Sequence, residues 1–335
     1  MGQLIIPKGY SSPLSVARTQ EAIEFTRSTF QDKISKALNL KRTSAPLFVA
    51  EDSGINDDLN GYERPVRFDI KATGKDAVIV HSLAKWKRMA LAKYEFKPGE
   101  GLYTDMNAIR RDEELDNLHS CYVDQWDWEK VILKEDRSLA YLQSTVKSIV
   151  NAICDTLDAV RAKYPEIKTE LCREVYFVSA DELARAYPEL TPSEREAVVA
   201  REHKTVFISG IGKTLCSGER HDGRAPDYDD WDLNGDIIFW NDVIDRQFEV
   251  SSMGIRVDAV SLAKQLKLAE CEGRMKYEYH KGIADGTLPL TIGGGIGQSR
   301  ICMLLLGKAH IGEVQVSIWS DEMIQECRQN GINLL

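Results

Sequence analysis

Residues 293–306 read Gly-Gly-Gly-Ile-Gly-Gln-Ser-Arg-Ile-Cys-Met-Leu-Leu-Leu. Gly293, Gly295 and Gly297 stand at alternate positions, ahead of Arg300 and an apolar run. Bare backbone at every second strand position lets a flat ligand lie against it. An arginine in the first turn of a following helix reaches a phosphate. A glycine-kinked strand packed on a buried helix has the same pattern, so its meaning depends on the segments upstream.

Outward from this stretch, short strands come in consecutive pairs. Tyr103–Ile109 and Leu118–Ile132 read as strands around an acidic loop, Asp112–Asn117. Ile237–Trp240 and Phe248–Val257 read as a second pair, turning at Asn241–Asp245. Val78–Val80 and Val206–Ile211 are further strands, and Gly218–Asp232 is a charged loop. Helices are predicted from the stripe Ile23, Phe30, Ile34 and Leu38, over Leu83–Ala92 with Ser82 as N-cap, and over 139–162, 180–202 and 261–280. Paired strands without regular βαβ alternation predict an α+β fold, an antiparallel sheet with helices around it. No Pro/Gly/Ser linker divides the chain, so residues 1–335 are read as one domain.

The chain has 335 residues, 43% of them hydrophobic, and a formal net charge of −9. That balance predicts a packed core and no nucleic-acid partner, since such binders carry a basic face. Seven scattered cysteines, none in a CxxC pair, predict reduced thiols in a cytoplasmic protein rather than disulfides or zinc. No apolar run approaches the ~20 residues of a membrane span. Ile6 stands where a myristoylation motif wants Ser or Thr, and Gly2 offers no N-terminal nucleophile for splitting glutamine.

Several constellations carry chemistry. Arg110 ends a strand before the acidic loop, where it meets either a phosphate or Asp112 and Glu113. Period two puts Gln125 and Asp127 on one strand face, a patch for an ammonium group, with Trp126 and Trp128 opposite. Ser82 and Lys87 lie on the first turns of one helix, where an anion is favoured. Asp236 and Glu249, on neighbouring strands, suit Mg²⁺ held on substrate phosphates, or cross-strand charge pairing. Arg256 is placed to grip a carboxylate, and Arg224 and Asp229 lie on a loop dense enough in charge to close over a ligand. From spacing alone Asp58 belongs to an Asx turn.

In order along the chain, these segments resemble the class II aminoacyl-tRNA synthetases. Pro46 in its extended run resembles motif 1, Ile109-Arg110 motif 2, and Gly293–Met303 motif 3. Glu249–Arg256 resembles the aspartyl-tRNA synthetase segment that ends in a substrate-gripping arginine, and Ser82 and Lys87 match that family's aspartate-binding Ser and Lys in spacing. Ser299 departs from motif 3, which usually has an acid before its arginine. The stretches HSLAKWKR (81–88), GEGLYTDM (99–106), YVDQWDWE (122–129), RAPDYDDW (224–231), SSMGIRVD (251–258) and TIGGGIGQSR (291–300) resemble more closely the ammonia-dependent asparagine synthetase family.

That resemblance implies a class II synthetase-like antiparallel β-sheet flanked by helices. It also implies conversion of L-aspartate, ammonia and ATP to asparagine, AMP and pyrophosphate through a β-aspartyl-adenylate. ATP would meet Arg110, Arg224, Asp229, Gly293, Gly295, Gly297 and Arg300. Aspartate would meet Ser82, Lys87, Gln125, Asp127, Ser252 and Arg256, with Lys87 and Arg256 on its α-carboxylate and Gln125 and Asp127 on its amino group. Mg²⁺ would sit on Asp236 and Glu249, and Asp58 would bind or deprotonate ammonia. Motif 1 implies a homodimer, and no membrane partner is expected. Two other readings share Arg110, Arg300 and the glycine strand. One is a truncated synthetase paralogue that acylates tRNA or protein; the other is a synthetase-like regulator. The Gln125–Asp127 patch and the lack of a basic surface weigh against the first, and the retained arginines and acids against the second.

Overall fold

The computed structural model describes residues 4–57 and 63–335. Its strands are β1 (Leu40–Arg42), β2 (Phe48–Ala50), β3 (Arg67–Ile70), β4 (Lys75–Ile79), β5 (Gly101–Ile109), β6 (Tyr122–Val131), β7 (Tyr176–Ser179), β8 (Thr205–Ser209), β9 (Asp229–Asn241), β10 (Arg246–Arg256) and β11 (Thr291–Gly297). Its helices are α1 (Val16–Leu38), α2 (Ala84–Lys93), α3 (Leu139–Lys163), α4 (Ala180–Ala186), α5 (Pro192–His203), α6 (Ala259–Leu268), α7 (Glu278–Ala284), α8 (Gln298–Leu305) and α9 (Asp321–Gln329).

Among the described residues, eight strands form one sheet in the order β1-β5-β6-β11-β10-β9-β8-β7, and β2-β4-β3 form a small second one. The six central strands pair antiparallel; only the outer pairs, β1–β5 and β7–β8, are parallel. The α+β expectation holds, with parallel margins that strand patterning did not announce. The glycine strand β11 lies between β6 and β10, so the two predicted hairpins flank it.

One face of the sheet is apolar. α1 packs on α3, and both cover a core containing Phe30, Ile34, Trp126, Trp128 and Ile149. Phe30 and Trp126 have ring centroids 4.6 Å apart. The predicted stripe on α1 is buried at every position, starting from a Ser15 cap and ending at Asn39 in the left-handed region, φ 58°.

Three predicted elements differ. Residues 180–202 form two helices, because Thr191 and Glu194 make a capping box and Pro192 starts α5 afresh. Residues 261–280 are likewise interrupted: α6 ends at Leu268, Glu270 takes φ 54°, and a 3-10 turn spans Glu272–Lys276. The loop expected over Gly218–Asp232 becomes strand from Asp229.

Candidate active site

On the sheet face opposite the tryptophans lies a cleft of about 830 Å³. Its floor follows from the alternation along β6. Gln125, Asp127 and Glu129 point to this side because Trp126 and Trp128 point to the core. β11 runs beside them, with Gly293 paired to Glu129 and Gly297 to Gln125. A Cβ on Gly293 would meet Glu129 Oε2, and one on Gly295 would meet Gln125 Oε1. These glycines therefore make room for side chains of the neighbouring strand as well as for a ligand. Gly295 and Gly297 line the cleft, while Gly293 lies beneath the Glu129–Arg256 pair.

Lys87, buried on α2, donates to Asp127 Oδ1, to Trp128 O at 3.0 Å and to Gly294 O at 3.2 Å. An ammonium has three N–H donors, so all three are engaged. The sequence reading sets Lys87 beside Arg256 and apart from Asp127; the structure joins Lys87 to Asp127. Arg256 is held by Glu129, through Nε at 3.0 Å and Nη2 at 2.7 Å, and by Asp229 on Nη1. Three of its five N–H groups are spent, which leaves two. Thr291 Oγ1 donates to Glu129 Oε1 at 2.7 Å. Against the cost of burial, Arg256 and Lys87 hold the Glu129 carboxyl below its usual range.

The other end of the cleft is built for anions. Arg300, in the first turn of α8, donates to Glu249 O at 2.8 Å and lies 3.7 Å from Glu249 Oε2. A β-bulge between Glu249 and Ser251 turns Glu249 onto the side of Ser252, whose hydroxyl donates to Glu249 Oε1 at 3.0 Å. Ser252 pairs across the ladder with Asp236, and Arg224 donates to Asp236 Oδ1 at 2.6 Å. Burial, with Glu249 adding to it, pushes the Asp236 carboxyl up to about 7 even beside Arg224. Against its own desolvation, Glu249 is held below the usual carboxylate range by Arg300 and then Arg224. Asp236 supports the site from just beneath its wall.

Arg110 faces the same end. Its ion partner is Glu113 at 3.6 Å, while Asp112 is claimed by Arg64. Arg110 Nε and Arg224 Nε are buried without a hydrogen-bond partner among the described residues; Arg224 Nε lies 4.0 Å from Asp229 Oδ2. A buried unsatisfied donor costs ~1–3 kcal/mol, a cost that ligand oxygens remove.

Ser82 lines the cleft, but α2 begins at Ala84 with Leu83 at the N-cap position; the Ser82 hydroxyl accepts the Ala84 amide at 3.1 Å instead of capping the helix. The stretch leading to Asp229 is tied down rather than free to close: Gln265 donates to Pro226 O and Asp229 O, and buried Asp227 accepts from Lys85, Arg274 and His280. Asp58 lies outside the described residues. Sequence reasoning missed Glu129, Asp124 and Asp227. Glu129 was findable, since it continues the period-two face of Gln125 and Asp127; the other two have only long-range partners. Among the described residues no three His, Cys, Asp or Glu side chains gather to hold a metal. Two acids suffice where Mg²⁺ also takes phosphate oxygens. Asp236 and Glu249 flank Ser252, one across the ladder and one by hydrogen bond, and offer carboxylate oxygens to such a cation. No helix among the described residues is long and apolar enough to cross a membrane.

A mostly antiparallel sheet with an arginine-lined cleft on one face and the α1–α3 layer on the other has a class II synthetase-like architecture. The solved Entamoeba histolytica asparaginyl-tRNA synthetase in complex with asparaginyl-adenylate superposes with a TM-score of 0.66 at 14% identity, over 90% of this chain and 66% of that one. The family model for aspartate-ammonia ligase matches residues 17–331. The aspartate--ammonia ligases of Ruminiclostridium cellulolyticum and Clostridium perfringens are each 58% identical over 336 residues, covering 100% of both chains. The chain belongs to the aspartate–ammonia ligase family and is an enzyme of that ligase class.

Proposed function

We propose that the cleft activates aspartate as a β-aspartyl-adenylate and passes the acyl group to ammonia, releasing AMP and pyrophosphate. Family membership supports ammonia-dependent asparagine synthesis as the overall reaction. The observation that carries the adenylate is the unsatisfied pair Arg110 Nε and Arg224 Nε, in one cleft with Arg300. Three guanidinium groups at one end of a site that also holds an amino-acid-sized polar end suit a triphosphate laid against a carboxylate.

In the first step a β-carboxylate oxygen attacks the α-phosphorus, and the bond to the β-phosphate oxygen breaks. Two anions must approach, so Arg110 at the α-phosphate and Arg300 at the distal phosphates screen the repulsion. Removing one such donor should cost roughly 2.7–4 kcal/mol of barrier. Asp236 and Glu249 would hold Mg²⁺, whose charge, when bound, adds to that screening. In the second step the nitrogen lone pair attacks the acyl carbon and AMP leaves. Arg256, with two N–H groups to spare, grips the α-carboxylate. Asp127, neutralised by Lys87, and Gln125 receive the amino group. Asp58 is the candidate to take the ammonium proton. Pro46 and the half-exposed Leu47 and Phe48 mark the face through which two copies would pair.

The test is product analysis with aspartate, ATP and Mg²⁺, with and without ammonium. Asparagine formed in equal amount to AMP supports the reading; ADP and phosphate in place of AMP and pyrophosphate contradict it.

A further inference from the structure

Asp124 lies on β6 between the active cleft and α1, and it is buried. Four donors converge on its carboxylate. Oδ1 accepts the Ser299 amide at 3.0 Å and Gln315 Nε2 at 3.3 Å. Oδ2 accepts Ser299 Oγ at 2.8 Å and Arg27 Nη2 at 2.6 Å. Ser299 is the second residue of α8 and Arg300 the third, and α8 has no side-chain cap of its own. The first amides of a helix are unpaired and favour an anion. Here a protein carboxylate takes that seat, which leaves the Arg300 side chain, rather than the helix start, to meet a phosphate.

The same turn is braced a second time from α1. Gln298 Nε2 donates to Asp105 Oδ1 at 2.9 Å, and that oxygen also accepts Gln31 Nε2 at 3.4 Å. Arg27 and Gln31 are one helical turn apart, so a single face of α1 supports both acids. Arg300 leaves this clamped turn toward the Glu249 carbonyl.

We infer that Asp124 is a positioning residue for the nucleotide: it clamps the first turn of α8 through Ser299 and so aims Arg300 at the phosphates. The inference rests on the reading of Arg300 as a phosphate contact. A carboxylate with only a structural task changes stability when altered; one that aims Arg300 also changes the response to ATP and spares aspartate.

The experiment compares steady-state KM for ATP and for aspartate, with melting temperatures, in Asp124→Asn, Ser299→Ala and Arg300→Lys. Asp124→Asn should raise the ATP KM about tenfold, as expected for a lost charge-assisted contact, and leave the aspartate KM within about twofold. Ser299→Ala keeps the amide contact and should raise the same KM by less, which carries the test if Asp124→Asn folds poorly. If both variants keep the wild-type ATP KM while Arg300→Lys raises it, the inference is overturned and the reading of Arg300 stands. If Arg300→Lys leaves the ATP KM unchanged, Arg300 is no phosphate contact and both fall.

Discussion

Asp236 carries an electrostatic signal that can be tested at a single residue. Burial, with Glu249 adding to it, pushes its carboxyl up to about 7 in the folded state. A raised acid contributes stability that is full below the unfolded carboxylate range, falls from pH ~4 as the pH rises, and is gone above about 7. In melts without nucleotide, the enzyme should lose thermal stability between pH ~4 and about 7 more steeply than its Asp236→Asn variant. Parallel pH curves would show that this carboxyl does not titrate there. Gly293 makes a second prediction at this scale. A methyl at this position meets Glu129 Oε2 and comes within 2.7 Å of Arg256 Nη2. Gly293→Ala should therefore lower kcat/KM for aspartate by roughly 100-fold through misplacement of Arg256, and a wild-type value would refute that role. The types of these residues were legible from the sequence. Their partners were not: the pairing of Lys87 with Asp127, and of Arg256 with Glu129, joins residues 40 and 127 positions apart.

Elements were legible where period and caps agree and illegible where a local device interrupts them. The α1 stripe and the two hairpins followed from spacing alone. The bulge between Glu249 and Ser251 did not, because one extra residue reverses the alternation that the sequence displays. Without it Glu249 and Ser252 would face opposite sides. The break between α4 and α5 was present in the sequence as Thr191-Pro192 with Glu194, a start signal inside a helical pattern. Thr191→Ala should lower stability by about 1 kcal/mol in denaturant titration and leave both KM values unchanged. A change in KM would mean that α5 acts on the site through the pairing of its Glu196 with His221, beside cleft-lining Asp222.

At the scale of the whole molecule, the centre of the sheet separates the apolar α1–α3 layer from the polar cleft. Phe30 on Trp126 joins α1 to the strand that carries Gln125 and Asp127. Phe30→Ala should cost about 3–5 kcal/mol of stability, read from the denaturation midpoint; a loss below about 1 kcal/mol would mean that the helix layer does not brace the floor. The strand order was beyond pattern reading, since β11 pairs with β6 over a separation that periodicity cannot sense. Resemblance of the glycine strand and its companion segments supplied the class II antiparallel sheet but not the order of its strands, and the solved class II fold agrees with that sheet. The account turns on the β-carboxylate attacking the α-phosphate within the cleft. The most direct measurement is turnover of aspartate whose β-carboxylate oxygens carry the heavy isotope, with mass analysis of the nucleotide. The account predicts transfer of one labelled oxygen to AMP for each asparagine made. Label in inorganic phosphate or pyrophosphate, with unlabelled AMP, would contradict it.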